Sequence, residues 1–284
     1  MNIKAKTCKL LNRIFPLPEH PLNLQNEGVM TLNRWQYQKG RETIKYYLER
    51  YTADDMFKDK VVLDIGCGPG GKAIYYTSLG AAFVYGVDIL PQYEAEANQL
   101  AKEKGLSQRF RFIVGDASCL DFADNFFDTI IMNDAMEHVS DPLGVLKECK
   151  RVLKPGGKLY INFPPFYHPY GAHLSDAMGF PWIHVFFDEK TLIDVYKDRV
   201  KMLPDGENRI KLRISKDGSG NEYFSYINKM TISRFQKILP NTSFKVDYYR
   251  EVPLRKVFAF ASRIPPIKEG FVKMVVCVLE KPIV

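Results

Sequence analysis

One sequence feature constrains the fold of this chain more than any other. It is a strand-like run that leads directly into a glycine-rich turn and then into a helix-like segment. The run Val61–Ile65 is apolar except for Asp64, and glycines at positions 66, 68, 70 and 71 precede the segment Lys72–Leu79. Glycine permits tight turns and close approach of the backbone to a ligand, and the first N–H groups of the helix point toward the same place. The pattern predicts a nucleotide-like cofactor at the carboxyl end of a parallel strand.

The glycine pattern alone leaves the identity of the cofactor open. Gly66, Gly68 and Gly71 also fit the G-x-G-x-x-G fingerprint of dinucleotide-binding proteins. Asp88, at the end of the next apolar run, stands where that fingerprint places its ribose-binding acid. A nicotinamide or flavin enzyme is therefore one alternative at this stage.

Strand-like and helix-like segments alternate after residue 60, following a proline-punctuated N-terminal stretch that we expect to be irregular up to residue 34. Apolar periodicity predicts helices at Trp35–Tyr51, Lys72–Leu79, Gln92–Lys104 and Pro142–Leu153. The predicted strands are Val61–Ile65, Phe83–Asp88, Phe110–Val114, Thr129–Asn133 and Lys158–Phe163. This alternation predicts right-handed crossovers and a parallel sheet that is covered on both faces.

Beyond residue 164 the alternation is interrupted by a stretch rich in proline, aromatic residues and histidine. A β-hairpin is predicted from Arg209–Ser215 and Asn221–Ile227. The other predicted elements are helices at Asp188–Val200, Thr231–Leu239 and Leu254–Ile264, and strands at Phe244–Tyr249 and Val272–Glu280. We divide the chain into an N-terminal segment with a cofactor-covering helix (1–60), a cofactor-binding core (61–164), a substrate-side insertion (165–230) and a C-terminal completion of the sheet (231–284).

Composition limits the partners and the compartment. The chain has 284 residues, and its longest apolar runs are too short to span a bilayer. The basic N-terminal stretch is interrupted by Asn12 and Arg13, which argues against a secretory signal. Five scattered cysteines without a C-x-x-C pair predict reduced thiols in a cytoplasmic protein. Residues 197–284 hold 18 basic against 9 acidic side chains, which indicates either a biased solvated surface or an anionic substrate, partner or membrane.

Three carboxylates follow or end successive predicted strands, namely Asp64, Asp88 and Asp116. On a doubly wound sheet these strand ends converge on one crevice. Asp116 is placed to accept a hydrogen bond from the exocyclic amine of adenine. A pyrophosphate would be repelled by this density of negative charge, whereas a sulfonium that carries an α-amino group would be stabilised.

Several motifs occur in order with family-like spacing: Asp64-x-Gly66-x-Gly68-Pro69-Gly70, Gly86-Val87-Asp88, Gly115-Asp116-Ala117, Phe126-Phe127-Asp128 leading into Met136-Glu137-His138-Val139, and Leu153-Lys154-Pro155-Gly156-Gly157. Together they resemble the class I S-adenosylmethionine-dependent methyltransferases, most closely the small-molecule branch that includes quinone-biosynthesis enzymes. The resemblance covers about residues 60–164, and a nicotinamide enzyme has no use for the block from 115 to 157. It implies an α/β, doubly wound, Rossmann-like sheet of seven strands, mostly parallel with the last strand antiparallel, and a substrate-side insertion after strand five.

The resemblance also implies S-adenosyl-L-methionine as the cofactor and assigns roles to individual residues. Asp64 and the glycine loop would hold the methionine moiety, Asp88 the ribose, Asp116 the adenine edge, and the carbonyl of Asn133 the ammonium group. The predicted cofactor-binding residues are Asp64, Gly66, Cys67, Gly68, Gly70, Asp88, Ile89, Asp116, Ala117, Asn133 and His138. As alternatives, Asp64 could stabilise its loop and Asp116 could cap a turn.

Catalytic candidates lie in the loop after the fifth strand: His168, His173, His184 and Asp176. A hydroxyl acceptor benefits from a general base, whereas a carboxylate acceptor needs none. These side chains could equally cap turns or pack against aromatic rings. Their spacing matches no established metal-binding motif, so no metal site is predicted.

The leading hypothesis is methyl transfer to an oxygen, of a hydroxyl or carboxylate, in a small molecule or a natural-product or peptide precursor. The alternatives are a C- or N-methyltransferase of a quinone- or lipid-like acceptor at a membrane surface, and a non-catalytic cofactor-binding partner subunit. Nucleic acid is not expected, because Asn133-Asp134-Ala135-Met136 stands where base-amine methyltransferases carry a polar-Pro-Pro-aromatic run. For Leu254–Ile264 a pocket lid is favoured over a membrane-surface helix. The oligomeric state is not predicted.

Overall fold

The computed structural model describes residues 3–265 and 267–283. Met1, Asn2, Pro266 and Val284, which fall within the predicted first and last segments, lie outside the described residues. Two compact units are formed. The sheet unit comprises Leu32–Phe163, Ile232–Val252 and the described residues from Met274 onward. The insertion unit comprises Pro164–Thr231, Pro253–Lys273 and the described residues before Leu32.

The bounds of the described elements are as follows. The strands are β1 Val61–Ile65, β2 Phe83–Asp88, β3 Phe110–Val114, β4 Phe127–Asn133, β5 Leu153–Phe163, β6 Ile214–Lys216, β7 Glu222–Phe224, β8 Lys245–Pro253 and β9 Val272–Glu280. The α-helices are α1 Ile3–Ile14, α2 Pro21–Asn26, α3 Leu32–Gln38, α4 Gly40–Ile44, α5 Ala53–Phe57, α6 Gly71–Ser78, α7 Tyr93–Glu103, α8 Pro142–Val152, α9 Ile183–Phe186, α10 Glu189–Val200, α11 Gly206–Arg213 and α12 Ile232–Ile238.

The sheet unit is built on seven strands in the order β3-β2-β1-β4-β5-β9-β8. Strands β1 to β5 pair in parallel, and β9 runs antiparallel to β5 with Leu279 opposite Leu159. Buried apolar residues fill both faces of the central strands, as parallel sheets covered by helices require. The predicted α/β fold, with seven mostly parallel strands and an antiparallel last strand, is confirmed.

The predicted single helix at Trp35–Tyr51 is wrong, because α3 ends at Gln38 and α4 spans only Gly40–Ile44. A Cβ at Gly40 would lie 2.2 Å from the Cγ of Tyr75. The junction between α3 and α4 therefore packs so closely on α6 that only glycine fits there. This packing places the segment from Gln36 to Tyr47 beside the glycine loop after β1.

The insertion unit begins with a helix where an irregular segment was expected. In α1 the residues Ala5, Cys8 and Asn12 are buried at helical spacing, and the first two pack in one cluster with Leu192 and Val195 of α10. Because one of the three is polar and the other two are small, the apolar signal in the sequence is weak. The short helix α2 also falls in the stretch that was predicted to be irregular.

The predicted hairpin is only partly correct. Residues Glu222–Phe224 pair with Ile214–Lys216, and Asp217 accepts hydrogen bonds from the N–H groups of Ser219 and Asn221 in the turn. Arg209–Arg213, predicted as strand, instead belongs to α11. Helical spacing brings Arg209 and Arg213, four residues apart, to the buried carboxylate of Asp176. These ion pairs explain why the segment is a helix despite its alternating apolar pattern.

The predicted helix at Leu254–Ile264 is also shorter than expected, because only two short 3₁₀ helices form there, Lys256–Phe258 and Ala261–Arg263. None of the helices in the described part of the chain combines the length and the apolar character needed to cross a bilayer.

Candidate functional site

The glycine loop between β1 and α6 adopts the left-handed conformations that its sequence suggests. Gly66 has a φ of +67°, and a Cβ there would lie 2.7 Å from the Cβ of Ala135. Gly68 has a φ of +53°, but a Cβ there would meet only the side-chain nitrogen of Gln36, at 3.4 Å. Packing against Ala135 therefore requires glycine at position 66, whereas at Gly68 the left-handed φ is the main constraint, because a Cβ there would meet only the far end of a flexible side chain.

Asp88, the last residue of β2, is fixed against this loop. One carboxylate oxygen accepts the Gly68 N–H at 2.8 Å, and the other accepts the Leu90 N–H at 3.0 Å. Burial raises the pKa of Asp88, although these backbone hydrogen bonds oppose that rise. Each oxygen keeps a second lone pair, so the carboxylate can also accept hydrogen bonds from the hydroxyls of a ligand.

Apolar and acidic side chains alternate where β2 and β3 end. Asp88 lies opposite Val114 in the parallel register, and Val114 is exposed although it is apolar. Ile89 is 65% exposed. Asp116 accepts hydrogen bonds from the N–H and the hydroxyl of Ser118, both at 2.8 Å. These strand ends present apolar surface beside carboxylates, which suits a flat, hydrogen-bonding ring.

Asp64 of β1 is the buried acid of the site. Its side chain is 2% exposed, and one of its carboxylate oxygens has no hydrogen-bond partner among the described residues. Burial raises the pKa of Asp64 to about 7, while Lys72 opposes the rise and Asp88 adds to it. A buried carboxylate without its full set of partners is costly, so this position favours a ligand that brings a cation or a donor.

Lys72, in the first turn of α6, is absent from the residues predicted from the sequence. Its ammonium lies 2.8 Å from a carboxylate oxygen of Asp134 and 3.4 Å from the backbone carbonyl oxygen of Asn133. Burial would lower the pKa of Lys72, but the attraction of Asp134 outweighs it and the pKa is raised. The backbone carbonyl of Asn133, which was predicted to bind the ammonium group of the cofactor, thus accepts a hydrogen bond from the ammonium group of Lys72. The position of Lys72 directly after the glycine loop is the signal in the sequence from which its role could have been predicted.

The side chain of Asn133 is fixed by two buried tyrosines. The hydroxyl of Tyr47 donates to its carbonyl oxygen at 2.6 Å, and its amide donates to the hydroxyl of Tyr76 at 3.0 Å. Burial raises the pKa of both phenols well above the usual value, so both stay neutral. Gln36 accepts the Gly71 N–H at 3.2 Å. Gln36 and Tyr47 were not predicted, because their neighbours along the chain carry no motif.

The other predicted cofactor residues also lie in the sheet unit. Cys67 is buried, and its thiol donates to the carbonyl of Gly68 at 3.5 Å. Burial raises the pKa of this thiol well above its usual value, which keeps it neutral. His138 is half-buried beside the carboxylate of Glu137, at 3.9 Å. The fold therefore gathers the predicted cofactor residues on β1, β2 and β4 and on the loops that follow β1 to β4.

The four catalytic candidates all lie in the insertion unit. Burial lowers the pKa of both His168 and His184 to about 4, so both rings are neutral at pH 7. The Nδ1 atom of His168 accepts the Tyr170 N–H at 3.1 Å, and the ring of His184 packs against Phe166 with centroids 4.9 Å apart. Neutral imidazole is the form that can accept a proton.

Asp176 is the centre of a buried network within the same unit. It accepts a hydrogen bond from the Tyr196 hydroxyl at 2.8 Å and forms ion pairs with Arg209 at 3.0 Å and Arg213 at 3.4 Å. His173, with a φ of +54°, contributes its carbonyl as acceptor for Arg213 at 3.3 Å. The carboxylate of Asp176 is fully buried and its oxygens are engaged by two guanidiniums and a phenol, so this geometry favours a structural role for Asp176.

Comparison with known proteins agrees with this geometry. Residues 63–161 match the family model described as a methyltransferase domain. The chain is 38% identical over 104 residues to a probable tocopherol O-methyltransferase from Oryza sativa, and 40% identical over 96 residues to a sterol 24-C-methyltransferase from Gibberella zeae. These matches cover 37% and 34% of this chain, and 29% and 25% of the two relatives.

Among solved structures, a S-adenosylmethionine-dependent methyltransferase from Methanosarcina mazei has the same fold, with a TM-score of 0.50 and 24% identity. The superposition covers 81% of this chain and 96% of that protein. The family match, over residues 63–161, lies in the sheet unit, in the stretch that holds the glycine loop and the acidic strand ends. The chain thus spans under a third of the length of the two named relatives.

Proposed function

We propose that the chain is a class I S-adenosylmethionine-dependent methyltransferase and that it transfers a methyl group to an oxygen of a small molecule or of a natural-product or peptide precursor. When bound, the cofactor supplies an electrophilic methyl group on a sulfonium centre. The part of the chain described here supplies the binding surface for that cofactor and the side chains that position and deprotonate the acceptor.

The observation that carries the proposal is the buried, incompletely satisfied carboxylate of Asp64 beside the glycine loop. The methionine part of the cofactor carries an ammonium group, which would compensate this carboxylate. Asp88 would bind the ribose hydroxyls through its remaining lone pairs, and Ile89 and Asp116 would contact the adenine. These residues would supply acceptors for the ammonium group, the ribose hydroxyls and the adenine amine.

Neutral histidines support oxygen as the acceptor atom. A hydroxyl must lose its proton as the new bond forms, and a positioned base contributes about 10²–10⁴-fold to such a step. His168 and His184 are uncharged at pH 7, and we propose that one of them accepts this proton. His173 and Asp176 remain further candidates by prediction, with Asp176 the weakest because of its two arginine partners.

Calorimetry of cofactor binding tests the assigned site. We expect Asp88→Ala to weaken binding of S-adenosylhomocysteine by about tenfold or more, since a hydrogen bond to a charged group contributes about 1.5–3 kcal/mol. Asp128→Ala is the matched control, because Asp128 lies near the opposite end of the same sheet, paired with Lys154. Equal affinities of the Asp88 variant and the native chain would exclude the ribose contact.

Methyl transfer itself is tested with labelled cofactor and a panel of phenols, carboxylic acids, amines and prenylated quinones. A mass increase of one methylene on a hydroxyl or carboxyl acceptor supports O-methylation. His168→Ala and His184→Ala should lower kcat without changing the affinity for S-adenosylhomocysteine. Products methylated only at carbon or nitrogen would refute the choice of oxygen.

A lipid-like acceptor is the second candidate, methylated at carbon, nitrogen or oxygen. The names of the two relatives, a tocopherol and a sterol methyltransferase, point to lipophilic acceptors for those proteins. A non-catalytic partner subunit is the remaining alternative, and turnover by the purified chain alone would exclude it. All five cysteines are free thiols, four of them buried, which supports our proposal of a cytoplasmic location.

A further inference from the structure

Most of the large apolar side chains that are exposed belong to the insertion unit. Val257, in the 3₁₀ helix Lys256–Phe258, is 79% exposed, and Phe260, directly before the 3₁₀ helix Ala261–Arg263, is 77% exposed. Phe186, in α9, is 66% exposed. Scattered apolar residues are normal on a protein surface, so their meaning depends on whether they form one surface.

Ring contacts form two aromatic groups in the insertion unit, and Phe180 and Trp182, which are two residues apart in the chain, connect them. Phe180 packs against Phe15 at 5.0 Å and against Phe186 at 5.8 Å, which links the end of α1 to α9. Trp182, directly before α9, lies 6.0 Å from Phe271 and donates its indole N–H to the carbonyl of Gly270 at 3.2 Å. Phe271 in turn lies 5.2 Å from Phe258. None of these rings is fully buried.

Positive charges predominate in the two segments that flank these rings, although Asp188 and Glu269 also lie near them in the chain. From Pro253 to Lys268 the sequence contains four cations and no acid, and α1 contains cations and no acid. Arg255, Lys256 and Arg263 are exposed and alternate along the chain with Val257 and Phe260. We call the residues Phe15, Phe180, Trp182, Phe186, Arg255, Lys256, Val257, Phe258, Phe260, Arg263 and Phe271 the aromatic–basic face.

We propose that the aromatic–basic face binds the surface of an anionic lipid bilayer. Exposed phenylalanine and valine side chains enter the boundary between headgroups and acyl chains, while neighbouring arginine and lysine side chains bind lipid phosphates. Trp182, with an apolar ring and a satisfied N–H, is of the residue type that lies at this depth. The sequence favoured a lid for Leu254–Ile264, but a closed lid would bury Val257 and Phe260, which are the most exposed apolar residues of that segment.

Flotation of the full chain with vesicles tests this proposal, which does not depend on methyl transfer. We expect binding to vesicles of phosphatidylcholine with phosphatidylserine, weaker binding to phosphatidylcholine alone, and release at high salt because exposed charges are screened. The double variant Val257→Ser/Phe260→Ser should reduce binding to anionic vesicles by about tenfold or more, since both side chains supply apolar area. Arg255→Glu/Lys256→Glu should abolish the preference for anionic vesicles.

Val246→Ser is the matched control, because Val246 is an exposed apolar residue of the sheet unit. It should bind vesicles like the native chain. Unchanged affinity of every variant for S-adenosylhomocysteine shows that the sheet unit is folded. The proposal is overturned if the native chain does not float with anionic vesicles, or if the face variants float as well as Val246→Ser. Altered kinetics toward a water-soluble acceptor without vesicle binding would instead establish the lid.

Discussion

Replacement of Asp64 by asparagine tests the electrostatics on which the site depends. Asparagine keeps the shape of the side chain but cannot ionise, so the variant removes one titration and little packing. In the folded chain burial raises the pKa of Asp64 to about 7, whereas an aspartate in an unfolded chain titrates near about 3.9. The native chain should therefore show a pH dependence of stability that the variant lacks.

The sign and size of this dependence follow from linkage. Because the pKa of Asp64 is higher in the folded chain than in the unfolded chain, protonated Asp64 contributes to the free energy of unfolding. This contribution is fully present below about pH 4 and is lost as the pH rises through about 7. A gap of about three pH units corresponds to about 4 kcal/mol in total. Between pH 5 and pH 8 the native chain should thus lose about 2–3 kcal/mol relative to Asp64→Asn.

Urea unfolding of both chains at several pH values measures this difference directly. Calorimetry with S-adenosylhomocysteine near pH 6, in buffers of different ionisation enthalpy, adds an independent reading. A bound ammonium lowers the pKa of a neighbouring carboxyl, so ligand binding should release the proton of Asp64 from the native chain. The Asp64→Asn variant lacks this carboxyl and should not release that proton. Parallel stability curves for the two chains, or equal proton release, would refute the assigned environment of Asp64.

Three further substitutions probe buried polar contacts, two in the sheet unit and one in the insertion unit. Lys72→Met should lower the unfolding free energy by up to about 3 kcal/mol, measured in urea, because it leaves Asp134 without its cation. Tyr47→Phe should cost about 1 kcal/mol by the same measurement and weaken cofactor binding, since it removes a hydrogen bond that orients Asn133. Arg209→Met should cost about 3–5 kcal/mol and lower the thermal midpoint, because it breaks a buried ion pair; an unchanged midpoint would show that the network is dispensable.

The sheet could be predicted from the sequence because its signals are local. Strands β1, β2, β3 and β9 have the predicted bounds, since apolar runs between turn residues define them. The helix α1 could not be predicted in the same way, because Ala5, Cys8 and Asn12 become a buried face only against α10. Tertiary contacts there override a weak local pattern.

The same distinction separates the predicted from the unpredicted site residues. The positions of Asp64, Asp88 and Asn133 at or next to the carboxyl ends of strands could be predicted because apolar runs define those strands, whereas their binding roles stay predictions. Lys72 and Tyr47 act through contacts across the fold, and no spacing in the sequence links either of them to Asn133. Asp176 was singled out by its neighbourhood in the chain, whereas its real partners, Arg209 and Arg213, come from a segment that the alternating pattern mistakenly assigned to a strand.

The buried acid and the buried lysine are best understood as parts of one charge balance. Burial raises the pKa of Asp64 to about 7, and Lys72, which is held by Asp134 and the carbonyl of Asn133, opposes this rise only in part. Loss of the Asp64 proton weakens the folded, ligand-free chain, yet the resulting carboxylate attracts a ligand cation. Stability without ligand should therefore fall with rising pH over the same range in which affinity for an ammonium-bearing cofactor rises, because one proton governs both.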